Sequence, residues 1–410
     1  MTRTPNRRKK FIFVAADMFV PQGSALSGLD HLRAVPTNEY QITLITRPQP
    51  AGLRNRQMPK LALSQTLRID PNGCMAKGKG PLAWLRVQLW RLWRLRICLL
   101  LSRLHPEDVI VVNGWSSAKL WNSIRYRTAA KTAVISHESA RYFSTPTCPT
   151  PREDYYNFLN SFDYVFFVSQ LVGKDTINDA NMRRENCFYL PNCCEEERFD
   201  AIHKTVSTET IRRNIGLPLD RPILMCPGTQ TVLKGQRDIF EMAPEIEKIL
   251  PGFVVIFMGD HATDVGIRLK RDIEASPWAD RFRFELPGIY PGEWFFASDL
   301  LLFPTYTETL SRTVLEAMAA KLPILASAVG GIPELVEHMD SSYLFTPGDQ
   351  NQILSGLRYM SENGYANAHS CAEAAYRRYR SHFTREHSSN RLRGILATLA
   401  DPEHPLSPSF

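Results

Sequence analysis

Two glutamates, Glu308 and Glu316, stand eight positions apart in a stretch that runs Pro304-Thr305-Tyr306-Thr307-Glu308-Thr309-Leu310-Ser311-Arg312-Thr313-Val314-Leu315-Glu316. The apolar run before it, Leu300-Leu301-Leu302-Phe303, reads as a buried strand, and Pro304 forbids its continuation. Residues 311–320 read as a helix built from good helix formers. Glu308 then lies in the loop leading into that helix, with Glu316 about 12 Å further on if all eight steps are helical. Such a separation suits two parts of one extended ligand better than an acid and a base acting on one bond. The amides of Thr309, Leu310 and Ser311, at a helix N-terminus, favour an anionic group such as a diphosphate. Taken singly, Glu308 reads equally as a charge that complements the helix dipole, and Glu316 as a solvated helix residue.

These residues need a frame that brings strand ends together. From residue 11 onward, short apolar runs alternate with helical segments, which is the pattern of parallel strands joined by helices in an α/β fold. Strands are expected at 11–15, 42–45, 109–112, 133–135 and 164–168, all apolar throughout and hence buried on both faces. A second set is expected at 223–226, 253–258, 282–284, 300–303 and 324–326. Between them the text turns charged and irregular, so the expected division is a first Rossmann-like domain over 1–200, a linker over 201–221 and a second Rossmann-like domain over 222–385. A last helix and tail over 386–410 is expected to cross back to the first domain. Sheets of this kind bind ligands outside the carboxyl ends of their strands, so two of them leave a cleft for a ligand.

The order strand, Pro, Glu, seven residues, Glu-Ala-Met, then Gly330-Gly331-Ile332-Pro333-Glu334 resembles the E-x7-E block of the retaining glycosyltransferases of family 4, which have the GT-B architecture. Other segments match that family in the same order: Asp163 to Ser169, Leu190-Pro191-Asn192, Pro227-Gly228 through Lys234-Gly235, and Met258-Gly259-Asp260. The resemblance implies a nucleotide-diphosphate sugar donor bound mostly by the second domain. It places Glu316 on the ribose hydroxyls, Glu308 and the following amides on the transferred sugar and its phosphate, and Lys234 on the diphosphate as the bond to the sugar breaks. It also implies that His137, in Ser136-His137-Glu138, reaches the transferred sugar, and that Gly23 brings backbone near the diphosphate. Base contacts are expected from loops such as residues 287–289. The resemblance further implies retention of the anomeric configuration without a protein nucleophile, no need of an Asp-x-Asp metal site, and no cofactor.

Three positions depart from the family pattern. Thr229 stands where an arginine is common, so a phosphate-binding cation is absent there unless another residue such as Arg312 substitutes. Ser311 replaces a common glycine, and Ser24 replaces the second of two glycines. A nucleotide-sugar epimerase on the same fold, or a catalytically silent relative that scaffolds an assembly at a membrane, therefore remains open beside a transferase of envelope, capsule or exopolysaccharide assembly. Its acceptor would be a saccharide or a lipid-linked saccharide.

The 410 residues carry 49 Lys and Arg against 42 Asp and Glu. Residues 1–127 hold 21 of the basic and only 6 of the acidic residues, so the positive charge belongs to the first third. Between Pro71 and Pro106 there are seven basic residues and no acidic one, with Trp84, Trp90 and Trp93 among them. Leu82, Leu85, Leu89, Leu92 and Trp93 follow helical spacing, while Arg86, Arg91 and Arg94 fall on another side. That is either a domain helix with a solvated basic face or an interfacial helix on anionic lipid. No recognition motif supports a nucleic-acid partner. The eight cysteines form no C-x-x-C pair, which argues against a metal framework. With no secretory signal and no stretch of roughly 18 apolar residues, the expected location is cytoplasmic, with a peripheral position on the inner face of the plasma membrane open.

Overall fold

The computed structural model describes residues 7–16, 23–48, 62–70, 81–145, 148–194, 196–286 and 292–400. Seven parallel strands form a first sheet: β1 (Lys9–Ala15), β2 (Tyr40–Thr46), β3 (Gln65–Arg68), β4 (Val109–Asn113), β5 (Lys131–Ser136), β6 (Tyr164–Phe167) and β7 (Cys187–Tyr189). Their order across the sheet is β3-β2-β1-β4-β5-β6-β7. The central strands are runs of β-branched and aromatic residues with every position of β4 buried, as strands covered by helices on both faces require.

A second sheet holds β8 (Ile223–Pro227), β9 (Val254–Met258), β10 (Phe282–Glu285), β11 (Leu300–Phe303), β12 (Ile324–Ser327) and β13 (Tyr343–Phe345). It is also wholly parallel, in the order β10-β9-β8-β11-β12-β13. Counted from its own first strand, that is the 3-2-1-4-5-6 order of the doubly wound Rossmann fold, and the first sheet repeats it with one further strand. In each sheet the strand order reverses at one place, between β1 and β4 and between β8 and β11, and the crevice for a ligand opens there at the carboxyl ends. Each fully buried Leu, Ile or Phe of these strands contributes about 1.5–3 kcal/mol relative to exposure, so the core fixes both reversal points firmly.

The contacts divide the chain into two compact units, residues 1–192 with 386–410, and residues 193–385. The boundary therefore lies near Asn192, not at the linker expected over 201–221. That stretch is largely helical and belongs to the second unit, as Glu196–Thr205 and Thr208–Asn214. The local reason is visible in the residues: Glu196 and Glu197 open the first helix, His203 and Lys204 close it, and the Ser207 hydroxyl caps the next by accepting from the Thr210 N–H at 3.2 Å. Charged text was here a sign of solvated, well-capped helices. The helix Arg385–Ala400 packs largely with the first unit, where Ser388 Oγ donates to Pro191 O at 3.2 Å and Ile395 and Leu399 are buried.

Candidate functional site

Because β8 and β11 are neighbours, the loops at their carboxyl ends meet. After β8 the chain passes Gly228 and a short 3-10 turn, Val232–Lys234, to Gly235; after β11 it runs from Pro304 to Ser311. The two are stitched together. Tyr306 N donates to Leu233 O at 2.8 Å, Thr305 Oγ1 reaches Leu233 O at 3.2 Å, and the Tyr306 hydroxyl donates to Asp238 Oδ2 at 2.8 Å. Each such bond is worth about 0.5–1.5 kcal/mol net. Burial, followed by the bond to Asp238, pushes the Tyr306 phenol up to about 12.

Two glycines complete the scaffold. Gly235 has φ +69°, and a Cβ there would sit 2.2 Å from the Pro304 carbonyl oxygen. Gly330, in the turn after β12, has φ +55°, and its Cβ would fall 1.8 Å from the Glu308 carbonyl oxygen. The next amide, Gly331 N, donates to Thr309 O at 2.6 Å. Only glycine lets the chain pass this close in a left-handed conformation.

On that scaffold Lys234 Nζ lies 3.0 Å from Glu308 Oε2, with 26% and 20% of the two side chains exposed. The ammonium also sits 5.6 Å from the centre of the Phe303 ring. Glu308 Oε1 accepts from Thr309 N at 3.3 Å. Ser311 is the N-cap of the helix Arg312–Ala319, its Oγ accepting from Val314 N at 3.3 Å. Leu310, between them, is buried. Within the helix, Arg312 Nε lies 3.0 Å from Glu316 Oε1, and Arg312 Nη1 donates to Cys193 O at 3.1 Å. Thr229 is exposed, beside Gly228. This end of the sheet thus carries two cation–carboxylate pairs: carboxylates that accept from hydroxyls, and an ammonium that can donate to phosphate.

In the first unit, His137 and Glu138 follow β5, next to the end of β4. Asn113 Nδ2 donates to Ser24 O at 3.2 Å, which turns its Oδ1 toward His137 Nε2 at 2.9 Å. Nε2 therefore carries the proton and Nδ1 is left as an acceptor. Burial, with His31 stacked at 6.3 Å, lowers the His137 pKa to about 3, so the ring is neutral. Burial raises Glu138 to about 7, against the pull of the N–H groups of Trp115, at 3.0 Å, and His137, at 3.2 Å. Glu138 thereby ties the turn after β4 to the end of β5. Gly23 starts the helix Gly23–Ala34 with nothing within 4 Å of where a Cβ would point.

The basic helix spans Pro81–Ser102. Its packing face is not the expected stripe. Trp90, Ile97, Cys98 and Leu101 lie against the core, whereas Leu85, Leu89, Leu92 and Trp93 are 43–63% exposed, as is Trp84 at 65%. Trp90 Nε1 donates to Asp70 O at 2.7 Å and Arg94 Nε to Ser123 O at 2.8 Å, while Arg91 is exposed. The side chain of Arg86 and residues 287–289 lie outside the described residues.

A cavity of about 580 Å³ lined by Arg212, Arg221, Lys321, Phe296 and Tyr365 opens at the amino ends of β8, β11 and β12. That is the end of the sheet opposite the loops, and its guanidinium Arg212 is bound by Asp299 at 2.8 Å. We therefore place the candidate site at the carboxyl ends. Among the described residues, no three His, Cys, Asp or Glu side chains gather as metal ligands. The sequence carried signals for Lys234, Glu308, Glu316 and His137, but not for Asn113, Glu138, Tyr306 or Asp238, whose partners lie on other strands and loops.

Residues 207–378 match the family model described as glycosyl transferases group 1. Among curated proteins, a putative teichuronic acid biosynthesis glycosyltransferase of Bacillus subtilis, TuaC, is 29% identical over 36% of this chain and 34% of its own length. A 2-deoxystreptamine N-acetyl-D-glucosaminyltransferase of Streptomyces fradiae is 33% identical over 33% of each chain. The match thus spans about a third of these relatives' length. Alpha-galactosylglucosyldiacylglycerol synthase of Streptococcus pneumoniae is 26% identical over 50% of this chain and 54% of its own. Among solved structures, Anabaena HepE in complex with UDP aligns with a TM-score of 0.70 at 17% identity, covering 95% of this chain and 100% of that one. Sucrose-phosphate synthase of Thermosynechococcus elongatus aligns at 0.73 and 17%, covering 96% and 99%. The second unit thus matches the group 1 glycosyltransferase model over residues 207–378, and the chain as a whole has the two-domain Rossmann-like fold of these GT-B structures.

Proposed function

We propose that this protein is a retaining glycosyltransferase that moves a sugar from a nucleotide-diphosphate sugar to a saccharide or lipid-linked acceptor. The observation that carries the reading is the meeting of Lys234 and Glu308, 74 positions apart, at the reversal point of the second sheet, where open α/β sheets hold ligands. Glu316 accepts from the ribose hydroxyls. Glu308 and the amides of Thr309, Leu310 and Ser311 hold the sugar and its phosphate. His137, neutral, contributes a hydrogen bond to a sugar hydroxyl, and Gly23 offers its backbone to the diphosphate.

In the reaction the acceptor oxygen forms its bond to the anomeric carbon on the face from which the phosphate leaves. The acceptor proton passes to the departing phosphate oxygen, and the nucleoside diphosphate is released. Negative charge grows on that phosphate, and Lys234 and the helix N-terminus at Ser311 stabilise it there. Lys234 must give up part of its bond to Glu308 when the donor enters, which frees Glu308 for the sugar. No metal ion is required, and Thr229 leaves Lys234 and the amides as the principal phosphate donors in these loops. Envelope, capsule or exopolysaccharide assembly suits such a transfer, in line with the teichuronic acid and glycolipid roles named for two of the relatives. The test is proton NMR of the product formed from an α-linked nucleotide sugar. An α-configured product supports retention, and a β-configured product refutes it.

A further inference from the structure

We propose that the exposed face of the helix Pro81–Ser102 seats this protein on the surface of an anionic lipid bilayer. Seventeen large apolar side chains are exposed among the described residues, and seven of them lie on this one helix. Leu85, Leu89, Leu92 and Leu99 succeed one another at steps of four, three and seven, which makes a single row with Arg96 between the last two and Trp84 and Trp93 beside it. The opposite side of the helix is already used, since Trp90, Ile97 and Leu101 pack on the first unit's core. Scattered apolar side chains need no explanation, but seven gathered on one helix do.

Charge selects the occupant. No acidic residue occurs between Pro71 and Pro106. Arg91 and Arg96 share the exposed side, and no carboxylate lies within ion-pair distance of either among the described residues. Arg96 instead lies over the Trp93 ring at 5.3 Å. A second copy of the chain laid on this face by a two-fold axis would bring the same helix against it, which carries no carboxylate to pair with Arg91 and Arg96. An anionic bilayer satisfies both kinds of group: leucines enter the acyl boundary, tryptophans sit at headgroup level, and arginine stems lie along the apolar row with their heads on lipid phosphates. No described helix is long and apolar enough to cross a membrane, so the helix would lie in the interface plane.

The test is co-sedimentation of the full chain with vesicles of phosphatidylcholine alone and of phosphatidylcholine mixed with phosphatidylglycerol. Binding to the mixed vesicles is expected, weakening with added salt. Arg91→Glu with Arg96→Glu should lower it about tenfold or more, and Leu89→Gln with Leu92→Gln should abolish it with an unchanged melting temperature, because those side chains support no core. Equal recovery with both vesicle types, insensitive to the arginine changes, overturns the proposal. So does self-association in vesicle-free buffer that the leucine changes abolish, since a second copy would then cover the face. Vesicle binding needs no donor, so this outcome and the transferase reading fail separately.

Discussion

Gly330→Ala probes how the candidate site is held, and Gly364→Ala is its built-in control. Both glycines have positive φ, +55° and +65°, but the added methyl would meet the Glu308 carbonyl oxygen at 1.8 Å in one case and nothing within 4 Å in the other. At Gly364 only the left-handed strain operates, about 1–2 kcal/mol, offset by about 0.4–1 kcal/mol from a stiffer unfolded chain. Gly364→Ala should therefore stay within about 1.5 kcal/mol of wild type. Real Cβ contacts essentially never fall below 3.0 Å, so Gly330→Ala must push the Glu308 carbonyl back from 1.8 Å to beyond 3.0 Å. Overpacking of that kind adds about 1–3 kcal/mol to the same strain and the same offset, which places the loss at about 1–5 kcal/mol. The displaced loop also carries the Glu308 carboxylate away from Lys234 and strains the bond from Gly331 N to Thr309 O, so affinity for a nucleotide sugar should fall with stability. Urea midpoints of the two variants, followed by calorimetric titration of each, separate the effects. Equal midpoints for Gly330→Ala and Gly364→Ala would refute the idea that this turn clamps the Glu308 loop.

Lys234→Ala should mainly reduce turnover, because its charge matters most as the phosphate departs, whereas Glu316→Ala should weaken donor binding; unchanged donor affinity in Glu316→Ala would remove the ribose assignment. Stability should respond to pH with opposite signs at two adjacent residues. His137 keeps a pKa of about 3 when folded against 6.5 in the open chain, so its contribution is whole above pH 6.5 and is lost as pH falls toward 3, on the order of 5 kcal/mol in total. Glu138 is raised from 4.5 to about 7, so its contribution is whole below pH 4.5 and is lost as pH rises through 7, on the order of 3 kcal/mol. Relative to wild type, His137→Asn should thus gain stability toward acid and Glu138→Gln toward neutral pH; urea midpoints with the same sign of slope for both would contradict the burial assigned to them.

Much of the frame was legible because the long central strands are unbroken apolar runs that no alternative element accommodates. Gln65–Arg68, Cys187–Tyr189 and Tyr343–Phe345 were not, being three or four residues long and partly polar or partly exposed, so that only their neighbours make them strands. The stretch 201–221 misled through its charge. The basic helix was visible from its spacing, yet which of its sides faces the core depended on Trp90, Ile97 and Leu101 meeting residues far along the chain. Arg312 and Glu316 stand at helical i, i+4 spacing, so their pairing is legible directly in the sequence. The grip of Glu138 on the Trp115 amide joins two strand ends 23 positions apart and leaves no local mark.

The most direct test of nucleotide-sugar binding at these loops is a thermal-shift panel of UDP, GDP, ADP, CMP and dTDP and their common sugar conjugates, run on wild type and Glu316→Ala with and without EDTA. A ligand that binds only the folded protein stabilises it by about 2.7 kcal/mol at a hundred times its Kd. The expected result is a rise in melting temperature with one nucleotide and its sugar conjugates, insensitive to EDTA and diminished in Glu316→Ala. The absence of any shift across the panel, or an equal shift in both proteins, would contradict it.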